Sequence, residues 1–234
     1  MQYALQRQAK APARPALSWL LALVLMASAP AWADSDDAYA SDDPYEVVQQ
    51  ASDDLLALIK DAKNYYDDDP DRFYAAVTEL LDPIVDFDGF ARGVLGPQYA
   101  RRASSEQRRE FSETFKSSLI DNYARALLQF NNEEIRVKRD DRPSQDENRR
   151  EVNMELRTTD GRNFPVSYSM ARNSEGRWQV RNIIVNGVNI GLTYRRQFES
   201  AMRSPQYGGD LDKVIADWGD KVAEIDVPVD EEGS

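Results

Sequence analysis

The side chains that could perform chemistry are restricted first by type. Among 234 residues there is no His and no Cys. A Ser-His-Asp triad, a thiol nucleophile, a disulfide and a zinc site of the usual N/S kind are therefore excluded. Carboxylates are left, and a small isomerase could use one inside an apolar cavity. Strand alternation, however, points Val152, Met154, Leu156, Phe164, Val166, Tyr168, Met170, Trp178 and Ile184 inward, and none of these is acidic. Asn182 is the one uncharged polar residue on the Trp178/Ile184 face, and it reads as a satisfied group at the sheet end. Ser167 and Ser169 alternate to the opposite face, so a lipid-hydrolase reading lacks an activated nucleophile. The acid runs Asp67-Asp68-Asp69-Pro70-Asp71 and Asp86-Phe87-Asp88-Gly89 do not complete a spaced calcium loop. Helix capping and solvation account for both, so neither a metal nor a cofactor is expected.

Arginine is the other candidate. The 29 Lys and Arg stand against 41 Asp and Glu, a formal charge of −12, which argues against nucleic acid as a partner. The charge is distributed unevenly: residues 34–91 carry net −14, residues 92–203 net +6, and residues 204–234 net −7. The middle block holds the pairs Arg101-Arg102, Arg108-Arg109, Arg149-Arg150 and Arg195-Arg196. Guanidinium groups suit bidentate contact with phosphate or carboxylate. The block reads either as a solvated, internally balanced face or as a patch that meets anionic headgroups or acidic partner surfaces.

The elements that must position these residues begin behind a leader. Arg7, Lys10 and Arg14 precede the apolar run Ala16 to Ala29, and Pro30 and the small-residue site Ala31-Trp32-Ala33 follow. Fourteen apolar positions are too few to span a bilayer comfortably, so a secretory signal at 1–33, cleaved after Ala33, and a periplasmic location are expected. The acidic stretch 34–43 reads as a mobile tail, 44–225 as one domain and 226–234 as a disordered acidic end.

Within the domain, Asp43-Pro44-Tyr45-Glu46 and Asp69-Pro70 announce two helices. A short helical stretch follows from Phe87 to Leu95 and ends at Gly96-Pro97. Ser104-Ser105-Glu106-Gln107 is a capping box that opens a helix to about residue 130. Its stripe of Phe111, Phe115, Leu119, Tyr123, Leu127 and Phe130 suits either a filled core or a cavity wall. From residue 134 the apolar period changes to two: Ile135 and Val137, then Val152 to Leu156, Phe164 to Met170 after the Asp160-Gly161 turn, and Trp178 to Ile184. Helices near 192–203 and 210–225 close the chain. Helices first and a meander after them make the fold class α+β.

One ordered series of motifs adds to this. Asp86-Phe87, Gly93-Val94-Leu95-Gly96-Pro97-Gln98-Tyr99 and Ala103 to Arg108 come first, with Phe111, Phe115 and Tyr123-Ala124 beyond. Gly176-Arg177-Trp178-Gln179-Val180, Asn186-Gly187-Val188, Tyr194-Arg195-Arg196-Gln197-Phe198 and Gly208-Gly209-Asp210-Leu211 follow in order. The series resembles the MlaC family of periplasmic phospholipid-binding proteins, also called the toluene-tolerance family, over nearly all of the chain after the leader. Asn182 stands where the family pattern has Asp, and Asn189 where it has Ser.

The resemblance implies a helical assembly packed on a twisted antiparallel meander, an NTF2-like sheet, enclosing an apolar cavity for lipid tails. It also implies a soluble carrier that performs no covalent chemistry. Such a carrier shuttles phospholipid between an outer-membrane lipoprotein–porin complex and an inner-membrane ABC transporter complex. On facing alone, Leu95, Tyr99, Phe115, Leu119, Met154, Leu156, Val166, Tyr168, Met170 and Ile184 are nominated as lipid-lining. Arg195 and Arg196 are nominated for partner or headgroup contact. The alternative is an envelope adaptor that binds proteins and whose core is filled.

Overall fold

The computed structural model describes residues 39–128, 134–140, 144, 146–158 and 161–221, all within the unit Ala33–Ser234. The expected leader, residues 34–38, Phe130, Asp160, part of the 140–148 loop and the chain beyond 221 lie outside the described residues.

Four helices come first, each started by a capping side chain. Before α1 (Pro44–Ala62), the Asp43 carboxylate accepts from the Tyr45 N–H at 2.8 Å. Asp69 accepts from Arg72 N–H ahead of α2 (Pro70–Leu81), and Asp86 from Gly89 N–H at 2.7 Å ahead of α3 (Phe87–Arg102). The two acid runs are thus in part helix caps. In front of α4 (Ser105–Leu127), Ser104 and Gln107 form the reciprocal box, each side chain accepting from the other's backbone N–H at 3.0 and 2.9 Å.

The expected stop at Gly96-Pro97 is a kink instead. Gly96 takes φ 68°, a conformation open to glycine, and Pro97 offers no N–H. The helix then resumes to Arg102, where Arg108 Nη1 donates to the terminal carbonyls of Ala100 and Ala103 at 3.2 and 2.6 Å.

The sheet is an antiparallel meander in chain order: β1 (Glu134–Lys138), β2 (Arg149–Arg157), β3 (Asn163–Arg172), β4 (Trp178–Val185) and a short β5 (Val188–Asn189). Helices α5 (Ile190–Arg203), capped by Asn189 at Leu192 N–H, and α6 (Leu211–Lys221) complete the described chain. The fold is α+β.

Register sets the faces. Val152 pairs with Tyr168, Met154 with Val166 and Leu156 with Phe164, so the apolar set lies on one side and Ser167 and Ser169 on the other. On β4 the alternation breaks. Met170 pairs with Val180 but Tyr168 with Ile183, because a bulge intervenes at Arg181. Its cause lies on the strand's other edge. There Val180 exchanges backbone hydrogen bonds with Ile84 and Asp86 at 2.8 and 3.0 Å, and Arg181 turns to the Asp86 carboxylate at 3.0 Å. Ile183 and Val185 are thereby turned inward. Ile184, expected inward, pairs with Ser167 on the outer face, and Asn182 goes with it.

The segment 39–43, expected to be mobile, is packed. Tyr39 is buried and donates its hydroxyl to Asp54 at 2.9 Å. Trp178 Nε1 donates to the Asp42 carbonyl at 2.8 Å, and Arg172 reaches the Asp42 carboxylate at 3.0 Å while lying over the Trp178 ring. An aromatic anchor and an arginine at the end of the central strand outweigh the composition of a short acidic stretch.

Candidate apolar binding site

Two apolar clusters meet at the sheet. The first lies among α3, α4, α5 and α6, around Phe90, Phe111, Phe115, Tyr194, Phe198 and Trp218. Its rings interlock edge to face: Phe115 sits 5.3 Å from Phe90 and 5.4 Å from Tyr194, and Phe111 5.3 Å from Trp218. The second lies between α1 and the inner sheet face, with Val47, Val48, Val152, Met154, Met170 and Trp178. Ile183 and Val185 pack against both clusters. The bulge thus puts two aliphatic side chains at the junction.

At this junction burial is partial. Helix α4 packs on α3, α6 and α2, whereas α1, α3 and α5 take the direct contacts with the sheet. Leu119 and Tyr123 of α4, and Leu156, Phe164, Tyr168, Ile183 and Val185 of the sheet, are apolar or aromatic and only half-buried. Leu156 and Phe164 sit on the inner face yet join neither buried cluster.

Tyr168 marks the site's character. Desolvation pushes its phenol up to about 12, and its hydroxyl has no protein partner among the described residues. A hydroxyl so placed is open to a hydrogen bond from water or from a bound ligand. By contrast, the Tyr123 hydroxyl accepts from Tyr194 at 3.0 Å.

The nominated residues divide into groups. Leu119, Leu156 and Tyr168 are all half-buried, Leu119 against the helical cluster, Tyr168 against the cluster beneath α1, and Leu156 on the same sheet face outside both. Met154, Val166 and Met170 belong to the buried cluster beneath α1. Leu95 and Phe115, at 2% and 1% exposure, are enclosed in the helical core, and Tyr99 packs edge-on against Phe198. Leu95 and Phe115 are core side chains, whereas Tyr99 is half-buried like Leu119. Ile184 is displaced altogether, to an outer-face groove of about 410 Å³ beside Ser167, Asn153 and Lys138. Strand alternation missed the inward facing of Ile183 and Val185; Tyr123 was in the α4 stripe but was not nominated. The run Ile183-Ile184-Val185 is compatible with either phase, so only the bulge decides which side chains face in.

The wall carries no acid–base pair. Ser167 and Ser169 are on the far side, and Asn182 is satisfied, accepting from Gly191 N–H at 3.1 Å. Among the described residues no group of three acids converges as a metal ion would require. Arg195 is half-buried against Gly96, and Arg196 is exposed. The wall is apolar apart from the hydroxyls of Tyr123 and Tyr168.

Comparison with known proteins agrees with this geometry. The model of the MlaC protein family matches residues 49–220. A toluene tolerance protein, ttg2D, of Pseudomonas putida is 41% identical over 184 residues, covering 79% of this chain and 83% of the relative. The intermembrane phospholipid transport system binding protein MlaC of Haemophilus influenzae is 28% identical over 155 residues, 65% of this chain and 72% of that one. A solved phospholipid-binding protein from Ralstonia solanacearum, in complex with a phospholipid, shares the fold with a TM-score of 0.64 at 24% identity. That match covers 76% of this chain and 96% of the other.

Proposed function

The chain belongs to the MlaC family, and on that premise we propose that it is a phospholipid carrier whose ligand tails occupy the space between α4 and the inner sheet face. The observation that carries this reading is the half-buried apolar wall of Leu119, Tyr123, Leu156, Phe164, Tyr168, Ile183 and Val185. A filled core, as the adaptor reading requires, would bury these side chains as completely as it buries Phe115. The rings at the centre of the helical cluster are buried in that way, and the half-burial of the junction side chains supports the carrier reading over the adaptor.

The energetics set what such a site must do. Each methylene exposed to water costs roughly 0.8 kcal/mol, so an acyl chain of about 15 methylenes costs about 12 kcal/mol outside a bilayer or a protein. A carrier replaces bilayer hydrocarbon with side-chain hydrocarbon of similar area, and a buried charge in the wall would oppose it. The Tyr168 hydroxyl then serves an ester or other acceptor of the ligand. No bond is made or broken.

Function between membranes asks for export and for docking partners. The leader expected at 1–33 supplies the first, with the mature chain at work in the periplasm. An outer-membrane lipoprotein–porin complex and an inner-membrane ABC transporter complex are the partners this reading assigns. Among the described residues no helix is long and apolar enough to cross a membrane. The test is extraction: the delipidated protein, mixed with vesicles of tail-labelled phospholipid and separated by size, should carry label in the protein fraction. Label confined to vesicles at every protein concentration overturns the proposal.

A further inference from the structure

A second concavity lies on the opposite side of α3 from its buried face. Its floor is one small-residue face of that helix, Gly89, Gly93, Gly96, Pro97 and Ala100, and its volume is about 590 Å³. Its walls are Arg92, Arg101, Arg108 and Arg195, and no carboxylate lines it.

Two of the four guanidiniums are held in place. Arg108 donates to the Ala100 and Ala103 carbonyls and to Ser105 Oγ. Arg195 lies so close over the kink that a Cβ on Gly96 would fall 2.8 Å from its Nε, and that same nitrogen donates to Glu199 at 3.2 Å. Arg92 and Arg101 are exposed, with no hydrogen bond or ion pair among the described residues. Among the described residues Glu199 is thus the one carboxylate paired with a wall arginine, in a chain whose formal charge is −12. Exposed cations are normally scattered among acids. A converging set of four, two of them preorganised, is an anion site.

The volume and shape decide the occupant. The pocket falls in the size range of drug-sized ligands and exceeds what a lone phosphate fills. A planar bilayer surface cannot enter a concavity, whereas a loop or helix end bearing carboxylates can, and the glycine floor lets its backbone come close. We propose that this pocket docks an acidic segment of a partner protein. It rests on the carrier reading only for its use, since a shuttle must dock and release; Arg195 serves here, and Arg196, outside the pocket, does not.

The experiment follows the arginine side-chain Nε–Hε resonances of the full chain by NMR while deca-glutamate is added. Inorganic phosphate, deca-glutamine and phosphatidylglycerol/phosphatidylethanolamine vesicles are run in parallel. Expected are shifts at Arg92, Arg101, Arg108 and Arg195, binding that weakens with salt, and a loss of about tenfold or more in Arg92→Glu/Arg101→Glu. The same reversal on the sheet, Arg136→Glu/Arg157→Glu, should leave peptide affinity within about twofold. Equal weakening by both reversals, or binding of phosphate or vesicles without the peptide, overturns the proposal. Lipid content by mass spectrometry separates the two readings: R92E/R101E should keep wild-type lipid, and its loss would mean that the pocket belongs to the lipid site.

Discussion

Tyr168 of β3 stands opposite Ile183 of β4, and Ser167 opposite Ile184. That pairing displaces the strand by one residue from simple alternation and decides which aliphatic side chains reach the apolar junction. The displacement comes from Arg181, which turns to Asp86 while the neighbouring backbone bonds to Ile84 and Asp86.

A chain without cysteine allows a direct check of this register. Single cysteines at Ile183 and Ile184 should differ in their reaction with a thiol reagent. Cys at 183 should react slowly in the lipid-loaded protein and at least several-fold faster after delipidation. Cys at 184, in the outer groove, should react at one rate in both. Protection of 184 and not of 183 would reverse the assignment of faces.

Alkaline stability should report on Tyr168. Its phenol is pushed from 10 to about 12 by desolvation, so the folded state favours the neutral form. The associated stability is present in full below pH 10 and is lost as pH rises toward 12. Between pH 9 and 11.5 wild type should lose on the order of 2 kcal/mol more than Tyr168→Phe in urea unfolding. Parallel curves for the two proteins would show that the phenol is not desolvated.

Glycine at 96 serves both the kink and the arginine above it. Gly96→Ala places a Cβ at φ 68°, against Arg195. A loss of about 1–2 kcal/mol from backbone strain is expected, with more from the contact. Adding Arg195→Ala should recover the contact part only, leaving the strain. Full recovery, or no loss in the single variant, contradicts this division.

The 39–43 anchor depends on one indole. Trp178→Phe removes the N–H that meets the Asp42 carbonyl and should cost about 1–2 kcal/mol. Limited proteolysis should then cut before α1 faster than in wild type. Unchanged cleavage would mean that Arg172 and Tyr39 hold the segment without Trp178.

The fold was legible wherever local chemistry decides it. Asp43-Pro44, Asp69-Pro70 and the Ser104/Gln107 box start helices by hydrogen bonds between near neighbours, which spacing alone reveals. The inner faces of β2 and β3 followed from alternation for the same reason. What escaped depends on distant partners. The Arg181 bulge is set by Asp86, nearly a hundred residues earlier, and the docking of Asp42 by Arg172 and Trp178. Enclosure was also illegible: Phe115 and Leu119 share one apolar stripe, but only the folded chain shows the first enclosed by rings and the second half-buried.

The central claim is that the junction between α4 and the sheet holds phospholipid. It is tested most directly by purifying the protein under native conditions from the envelope fraction of its own cells. The protein is then extracted with organic solvent, and the lipid is quantified by mass spectrometry. The account predicts phospholipid in near-stoichiometric amount, lowered several-fold by filling the wall with Ile183→Trp and unchanged by Ile184→Trp. Protein that is folded and free of lipid would contradict it.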